Sequence, residues 1–277
     1  MKIWFITGTS KGFGRIWAEA ALDRGDKVIA TARDLNDLTD LSNKYGDSVL
    51  TLALDVTDKA ACFAAVKAGY EKFGRLDVVV NNAGYGQFGA VEELSEKELR
   101  DQLETNLFGV LWVTQAALPT MRAQKSGRII QISSIAGTTA FALIGAYHAS
   151  KWALEGLSQA LSAEVKVMGI HVTLVEPIGY TTDWAGPSSK TSEPLPAYDK
   201  TREDNTQRRK TMNSGDPQAT APVMLQLADM DEPPLRIFFG DWAGEMIHRE
   251  YDKRLSEWDK YQDLSAAAMG EAAAKTS

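Results

Sequence analysis

The sequence predicts an α/β fold in which one doubly wound, seven-stranded parallel sheet carries helices on both faces. Three observations predict it: short apolar runs, longer stretches with a helical period between them, and a glycine-rich turn directly after the first run. Runs that are apolar throughout are typical of strands buried on both faces, and their alternation with helices indicates a parallel sheet. The predicted strands are Ile3–Ile6, Lys27–Ala30, Val49–Leu54, Val78–Val80, Arg128–Ile132, Val172–Val175 and Arg236–Phe239.

Helices are predicted between most of these strands. The clearest helical stretches are Phe13–Arg24, Asp58–Phe73, Ser95–Arg122 and Ala146–Met168. Since no repeat or interdomain linker is evident, we expect one domain over residues 1–262 and a flexible tail at 263–277. Residues 183–218 are rich in Pro, Ser, Thr and mixed charge. Such a segment inside a domain is expected to be a substrate lid, with a disordered surface insertion as the alternative.

Composition excludes several classes of protein. The 277 residues include 30 basic and 37 acidic side chains, and the net charge of −7 argues against a nucleic-acid partner. One cysteine, Cys62, and three histidines cannot form a disulfide or a Cys/His zinc site, so no metal is expected. No apolar run approaches the roughly 18 residues of a membrane span, and the first run is too short for a signal peptide. We therefore expect no membrane partner and a cytoplasmic location, which single-cysteine usage fits.

The turn after the first strand is the first candidate binding site. Residues 7–14 read T-G-T-S-K-G-F-G and are followed by a helix. Glycines permit a tight turn and close approach of a pyrophosphate, and the helix N-terminus supplies N–H groups and a favourable dipole. This context predicts a dinucleotide site. The expected contacts are Gly8, Ser10, Lys11, Gly12, Phe13 and Gly14.

The end of the second strand indicates which dinucleotide binds. A carboxylate at this position would bind the adenosine ribose, but the position holds Ala32 and is followed by Arg33. With Lys11 in the glycine loop, two cations and no carboxylate favour a 2′-phosphate and therefore NADP(H) over NAD(H). Asp34 would serve NAD(H) if the register were shifted by two residues, so that alternative stays open.

Polar residues follow the third and fourth strands. Asp55 ends the third strand, where it is either a ligand or a turn residue, and Asp58 is an equally good helix cap. Residues 81–84 read N-N-A-G and form a polar turn at the carboxyl edge of the sheet, where ligands bind in such folds.

A second constellation carries the chemistry of proton transfer. Tyr147 and Lys151 are four residues apart and share one face of a helix. A lysine ammonium beside a phenol is expected to lower the phenol's pKa and make it a usable proton donor and acceptor. Ser134, thirteen residues before Tyr147, could hydrogen-bond a carbonyl oxygen, with Ser133 as its competitor. Asn106 lies inside a long predicted helix, where it is either a surface residue or functional.

In these motifs and their order, the chain resembles the classical short-chain dehydrogenase/reductase family over residues 3–182. The resemblance implies a single-domain Rossmann fold and hydride transfer between NADP(H) and a carbonyl or secondary alcohol. We expect reduction of a small hydrophobic ketone or aldehyde, since the chain is similar to hydroxysteroid- and retinol-dehydrogenase-like members. Two alternatives are an NAD-linked alcohol or hydroxysteroid dehydrogenase and a cofactor-sensing protein without turnover.

The resemblance also implies the roles of individual residues. Tyr147 would be the general acid/base, Ser134 would orient the substrate carbonyl, and Lys151 would hold the nicotinamide ribose and tune Tyr147. Asn106 would hold a water that completes the proton relay, and Asp55 would bind the adenine. The remaining expected cofactor contacts are Val56, Asn82, Ala83, Gly84, Pro177 and Thr182.

One position departs from the family pattern. Ile178 stands where the family has a glycine after Pro177. A β-branched residue resists positive φ and is expected to add bulk near the nicotinamide. His148 is expected at the pocket rim or on the surface, without a catalytic role.

The substrate pocket and the assembly are further expectations. Besides Ser134, the predicted substrate contacts are Gln87, Phe141, Tyr180 and Trp184. Their aromatic character favours a hydrophobic substrate of middle size. The family resemblance implies a homodimer or homotetramer that pairs the helices around 98–122 and 147–168.

Overall fold

A computed structural model describes residues 1–182, 184, 186, 188–210 and 213–270. The chain divides into two compact units, Met1–Gly240 and Asp241–Ser277. The strands lie in the first unit: β1 Ile3–Thr7, β2 Lys27–Ala32, β3 Val49–Ala53, β4 Val78–Asn81, β5 Gln87–Phe88, β6 Gly127–Ile132, β7 Ile170–Pro177, β8 Lys190–Thr191 and β9 Arg236–Phe239.

Seven of these strands form one parallel sheet in the order β3-β2-β1-β4-β6-β7-β9. The chain winds outwards from β1 in one direction and then from β4 in the other, so the strand order reverses between them. In such sheets ligands bind at the carboxyl ends of the strands beside this switch point. Every predicted strand is found in this sheet, and the predicted fold class is confirmed.

Helices cover both faces of the sheet. The helices of the first unit are α1 Gly12–Asp23, α2 Thr39–Tyr45, α3 Lys59–Phe73, α4 Glu96–Leu103, α5 Gly109–Gln124, α6 Gly145–Val165, α7 Asp199–Lys210 and α8 Thr220–Asp229. Alternate residues of β1 belong to two different cores: Trp4 and Ile6 pack with α1 and α8, whereas Ile3 and Phe5 pack with α3 and α5. This two-sided burial explains why the strands read as continuous apolar runs.

A short π-helical turn, Glu104–Phe108, joins α4 to α5. The predicted helix at Ser95–Arg122 is therefore helical over almost its whole length but changes its winding in the middle. Single π turns of this kind occur frequently at functional sites. The turn contains Asn106, whose side chain is completely buried.

The segment predicted as a lid is partly ordered by pairing. β8 lies parallel to β5, and a short 3₁₀ turn at Pro196–Tyr198 leads into α7. Residues 183, 185, 187, 211 and 212 of the predicted lid lie outside the described residues. The function of this segment as a lid stays a prediction.

The second unit contains α9 Ala243–Lys260 and α10 Gln262–Ala267. α10 occupies the start of the predicted tail, and residues 271–277 lie outside the described part of the chain. Among the residues that the structure describes, no helix is long and apolar enough to cross a membrane. The same residues contain no cluster of three His, Cys, Asp or Glu side chains suited to a metal ion.

Candidate functional site

The glycine loop lies at the carboxyl end of β1, beside the switch point. Gly8 and Gly12 have φ values of 70° and 59°, a region that glycine adopts without strain. A Cβ on Gly14 would lie 2.3 Å from the Gly8 carbonyl oxygen and 2.5 Å from Nδ2 of Asn82. No side chain caps the N-terminus of α1, and its first turn contains no acidic residue. Gly14 is therefore packed too closely for a larger residue, whereas a Cβ on Gly12 would meet nothing within 4 Å. The compact loop and the uncapped N-terminus of α1 fit a pyrophosphate.

Thr7 and Asn82 fasten this loop to the N-N-A-G turn after β4. Oγ1 of Thr7 accepts hydrogen bonds from the backbone N–H groups of Asn82 and Ala83, both at 2.9 Å. In return, Nδ2 of Asn82 donates to the carbonyl oxygens of Thr7 at 2.9 Å and Gly8 at 3.0 Å. The two predicted cofactor segments thus form one rigid edge.

The preceding Asn81 has a different role. Its Nδ2 donates to Oε1 of Gln131 at 2.8 Å and to Oγ1 of Thr114 at 3.1 Å, inside the sheet. This amide network ties β4 to β6 and α5, so Asn81 stabilises the scaffold under the site.

The end of β2 lies beside the glycine loop. The backbone N–H and the hydroxyl of Thr9 both donate to the carbonyl oxygen of Thr31, at 2.9 and 3.1 Å. Lys11 and Arg33, each two residues further along its own segment, are exposed at this junction. Asp34 accepts a hydrogen bond from the N–H of Asn36 at 2.9 Å and caps a 3₁₀ turn. Its carboxylate is thus engaged in local structure.

The end of β3 contains two aspartates with separate roles. Asp58 caps α3 by accepting from the N–H of Ala61 at 2.9 Å. Asp55 is exposed at the sheet edge and accepts from the N–H and hydroxyl of Thr57, at 3.0 and 2.8 Å. Val56 is buried, and a Cβ on Gly109 would lie 2.7 Å from its Cγ2. The cap is therefore Asp58, and Asp55 is held at the edge where an adenine would lie.

The structure brings Ser134, Tyr147 and Lys151 together at the carboxyl end of β6. Nζ of Lys151 donates to the carbonyl oxygen of Ile132 at 2.7 Å and lies 5.6 Å from the Tyr147 ring centroid. Oγ of Ser134 accepts from the N–H of Ala136 at 3.1 Å, and the Ser134 side chain lies close enough to act on the pKa of the Tyr147 phenol. Ser133 is directed elsewhere, since a Cβ on Gly137 would lie 2.7 Å from its Oγ. This geometry favours Ser134 over Ser133.

Burial shifts the pKa values of Tyr147 and Lys151, which both lie on α6. It raises the pKa of Tyr147 to about 12, and the hydrogen bond with Ser134 only partly opposes the rise. It lowers the pKa of Lys151 to about 8, against the opposing charge of Glu155. The expected lowering of the tyrosine pKa by the lysine is therefore wrong for this structure. The physical reason is that the phenol is enclosed, while the ammonium is bound to a backbone carbonyl.

Asn106 clamps a neighbouring loop to α6. Its Oδ1 accepts from the N–H of Tyr85 at 3.1 Å, and its Nδ2 donates to the carbonyl oxygen of Tyr85 at 3.0 Å. The same Nδ2 lies 3.2 Å from Oγ of Ser150, which donates to the carbonyl oxygen of Tyr147 at 2.7 Å. Asn106 is thus a buried functional candidate rather than a surface residue.

His148 is buried, which corrects the expectation of a rim or surface position. Its Nδ1 lies 2.7 Å from the carbonyl oxygen of Ala136, and its Nε2 accepts from the N–H of Phe141 at 2.7 Å. The imidazole therefore holds both ends of the segment that follows Ser134. Burial lowers the pKa of His148, in agreement with a neutral ring that carries its proton on Nδ1. No sequence pattern marks this role, because both partners are backbone groups.

Trp184 lies directly on the candidate proton donor. Its ring centroid is 4.8 Å from that of Tyr147 and 5.8 Å from that of Phe88. A Cβ on Gly86 would lie 2.7 Å from Cζ2 of Trp184, so the indole fits a slot that only glycine leaves open. Of the predicted substrate contacts other than Ser134, Trp184 is the one with a described ring contact to Tyr147.

The other predicted substrate contacts are held by different partners. Nε2 of Gln87 donates to Oγ of Ser192 at 3.0 Å and to Oε1 of Glu98 at 3.2 Å. The ring of Tyr180 lies 5.0 Å from that of Phe13 in the glycine loop. Phe141 lies beside His148, with the guanidinium of Arg208 5.1 Å from its ring.

Ile178 follows β7 directly and has an ordinary backbone conformation. It does not have a positive φ. Its N–H donates to the carbonyl oxygen of Phe239 at 3.0 Å, and a Cβ on Gly240 would lie 2.2 Å from its Cδ1. The Ile178 side chain therefore fills the space beside Gly240, directly after β9, and the bulk expected near the nicotinamide stays a prediction.

Known proteins resemble this chain in sequence and in fold. A family model described as short chain dehydrogenase matches residues 2–193. "Oxidoreductase BOA17" of Botryotinia fuckeliana is 43% identical over 271 residues, which cover 96% of this chain and 99% of the relative. The crystal structure of a short-chain dehydrogenase from Streptomyces avermitilis is 39% identical, with a TM-score of 0.90, and covers 97% of this chain and 100% of that one.

Solved structures of more distant proteins contain nicotinamide cofactors. An alcohol dehydrogenase from Thermococcus sibiricus, complexed with 5-hydroxy-NADP, has 26% identity and a TM-score of 0.72, covering 86% of this chain and 96% of that one. A short chain dehydrogenase/reductase from Burkholderia phymatum, in complex with NAD, shares the fold at 24% identity and a TM-score of 0.80, covering 92% and 95%. The extent of the family match and the identity of the full-length relatives show that the chain belongs to the short-chain dehydrogenase/reductase family of oxidoreductases.

Proposed function

We propose that this oxidoreductase uses NADPH to reduce a small hydrophobic ketone or aldehyde to the alcohol. The observation that carries the proposal is the enclosed Ser134–Tyr147–Lys151 group, with the Trp184 ring tilted at 56° against the tyrosine ring. An aromatic wall on the proton donor suits an apolar substrate. A bound nicotinamide would supply the hydride.

The side chains provide the remaining chemistry. The hydroxyls of Ser134 and Tyr147 would bind the carbonyl oxygen, and Tyr147 would donate its proton to that oxygen. Because burial raises the pKa of Tyr147 to about 12, the phenol is protonated at neutral pH and is ready to act as an acid. This protonation state supports reduction as the working direction. Lys151 would hold the nicotinamide ribose and restore the proton of Tyr147.

The first test combines cofactor binding with turnover. NADPH and NADH are titrated by fluorescence, and a panel of apolar ketones and aldehydes is then followed by absorbance. We expect turnover to fall about 1,000-fold in Tyr147→Phe, because the acid is removed while the ring is kept. Tyr70→Phe, an exposed tyrosine on α3, is the matched control and should retain full activity. Tight cofactor binding without turnover on any carbonyl would favour the cofactor-sensing alternative.

We base the proposed preference for NADP(H) on two exposed cations near the end of β2. The side chains of Lys11 and Arg33 are exposed beside the end of β2, whereas the carboxylate of Asp34 caps a turn. Arg33→Ala is expected to weaken NADPH binding about tenfold and to leave NADH binding within about twofold, since only NADPH carries the phosphate. Lys67→Ala, which removes an exposed α3 cation, is the control. Equal losses for both cofactors would favour the NAD-linked alternative.

We base the proposal of a homo-oligomer on apolar side chains of α5, α6 and the π-helical turn before α5. Trp152 and Leu157 on α6 are partly exposed, and the rings of Phe108 and Trp112 stack at 5.7 Å. Such apolar groups suit a subunit interface. Light scattering of the purified protein should give the mass of a dimer or tetramer, and a monomer at micromolar concentration would reject this proposal.

A further inference from the structure

A second polar cluster lies behind the candidate active site. Glu155 follows Lys151 by one turn of α6, and Glu176 lies near the end of β7. Arg236, at the start of β9, donates from Nε to Oε2 of Glu155 at 2.9 Å, and the same Nε is 3.7 Å from Oε1 of Glu176. Both carboxyl groups are buried, Glu176 completely. The roles proposed above for Ser134, Tyr147 and Lys151 do not involve this cluster.

The two carboxyl groups cannot both be ionised without cost. Both oxygens of Glu176 and Oε1 of Glu155 are buried without a hydrogen-bond partner among the described residues. Among the described residues, Arg236 is the only cation that forms an ion pair with these two carboxyl groups, and its side chain is 37% exposed. Two adjacent buried carboxylates beside one partly solvated cation repel each other. A single proton between them removes the repulsion and gives the orphaned oxygens a donor.

We propose that Glu155 and Glu176 share one proton at neutral pH, and that the ionised Glu155 is a positioning residue for Lys151. The proton belongs on Glu176, because Glu155 accepts the direct hydrogen bond from Arg236. The inference rests on the proposed function in one respect: it matters for catalysis only if Lys151 acts with its ammonium charged.

The charges around the pair support this assignment. Burial and the negative charge of Glu155 raise the pKa of Glu176 far above its ordinary value, and Arg236 opposes the rise. Burial lowers the pKa of Lys151, and the charge of Glu155 opposes that change. Lys151 on α6 and Arg236 on β9 are the cations that face the pair, and the Ser133 hydroxyl faces Glu155 from the end of β6. The negative charge of Glu155 thus favours the charged form of the buried Lys151 ammonium.

The shared proton can be tested without any turnover. Glu176→Gln imitates the protonated acid in size and hydrogen bonding, so the variant is expected to fold. In the wild type the folded chain keeps a proton that the unfolded chain releases, so stability is complete below the ordinary glutamate pKa and is lost as pH rises. Between pH 5 and 7 the unfolding constant of the wild type, relative to Glu176→Gln, should therefore rise about tenfold per pH unit.

Infrared spectra provide an independent reading of the same proton. The folded wild type should show a protonated carboxyl stretch at pH 7 that is absent from Glu176→Gln. Parallel pH dependence of unfolding in the two proteins, or the absence of this band, would overturn the shared proton.

The link to Lys151 is tested by the pH profile of turnover. In Glu155→Gln the alkaline limb of kcat/KM should move to lower pH by about one unit, because the ammonium loses its nearby negative charge. Glu164→Gln, an exposed glutamate of the same helix, is the matched control and should keep the wild-type profile. An unchanged limb in Glu155→Gln would overturn the positioning role. Absence of turnover in the wild type would reject the proposed function and, with it, the catalytic role of Glu155, while the infrared and unfolding results would still decide the shared proton.

Discussion

On the cofactor side of the site, the side chains of Thr7 and Asn82 join the ends of two central strands, whereas on the predicted lid side the carboxylate of Glu93 holds a segment outside the seven-stranded sheet. Thr7 and Asn82 take part in four hydrogen bonds, each between a side chain and a backbone group, three at 2.9 Å and one at 3.0 Å. On the lid side, Glu93 accepts from the N–H of Leu195 at 2.6 Å and from Arg202 at 2.7 Å, about a hundred residues away. The difference indicates that the cofactor side is fixed with the sheet itself, and it predicts that the segment at 188–210 can open without unfolding the sheet.

The largest expected effect that separates the two sides is at Gly14. In Gly14→Ala the new Cβ would lie 2.3 Å from the Gly8 carbonyl oxygen, so the loop must shift by about an ångström. A displacement of this size is expected to weaken NADPH binding about 100-fold. Fluorescence titration measures it.

Gly156→Ala on α6 is the control, because nothing lies within 4 Å of its Cβ. It should bind NADPH as the wild type does. Limited proteolysis of residues 188–210 should be the same in Gly14→Ala and wild type, since the lid contacts do not involve this loop. Normal cofactor affinity in Gly14→Ala would contradict the assignment of the cradle.

The cofactor side was also the more predictable one. Its residues follow consecutive strands, and the strand ends of a parallel sheet meet at one edge, so short motifs specify their arrangement. The apolar run at Lys27–Ala30, for example, became the strand Lys27–Ala32, and Ala32 indeed ends it. The Tyr147–Lys151 spacing likewise predicts a shared helix face.

The rest depends on distances that no local pattern contains. β5 and β8 have two residues each, too few for a periodicity. Ile178 is accommodated by Gly240, sixty-two residues later, so the absence of strain could not be read from its own segment. The pKa of Tyr147 follows from burial under Trp184 and the surrounding segments, which the i,i+4 spacing to Lys151 does not reveal.

His148 holds the segment between Ala136 and Phe141 and should give the next largest effect. His148→Phe keeps a ring but leaves the carbonyl of Ala136 and the N–H of Phe141 without partners. We expect a loss of stability of roughly 2 kcal/mol, measured by denaturant unfolding. His248→Asn, on an exposed histidine, should be neutral.

The pH dependence sharpens this prediction. The folded state disfavours protonation of His148, because a proton on Nε2 would face the N–H of Phe141. Since burial lowers the pKa below its ordinary value of 6.5, stability should be lost as pH falls from 6.5 through the lowered pKa. In His148→Phe this part of the pH dependence should disappear. An unchanged slope below pH 6.5 would show that the imidazole does not hold the segment.

The smallest effect is expected at Glu93, which tests the lid side alone. Besides its lid partners, the carboxylate accepts from the N–H of Ala90 at 2.7 Å. The hydrogen bond from Leu195, with further ones from Arg202 and Ala90, lowers the pKa of Glu93 to about 2. Its contribution to holding the lid is therefore complete at neutral pH and is lost as pH falls below the ordinary glutamate range towards 2.

Glu93→Gln replaces an acceptor oxygen by an NH₂ group that must face another donor. Cleavage within residues 188–210 by a low concentration of protease should become about fivefold faster, because local opening is easier. NADPH affinity should stay within about twofold of wild type, since the strand-end contacts are untouched. Glu92→Gln is the matched control: the neighbouring carboxylate accepts only an exposed hydrogen bond from the Tyr198 hydroxyl among the described contacts. If Glu93→Gln weakened NADPH binding as strongly as it exposed the predicted lid, the two sides would be one cooperative unit, and the contrast between the strand-end side and the lid side would fail.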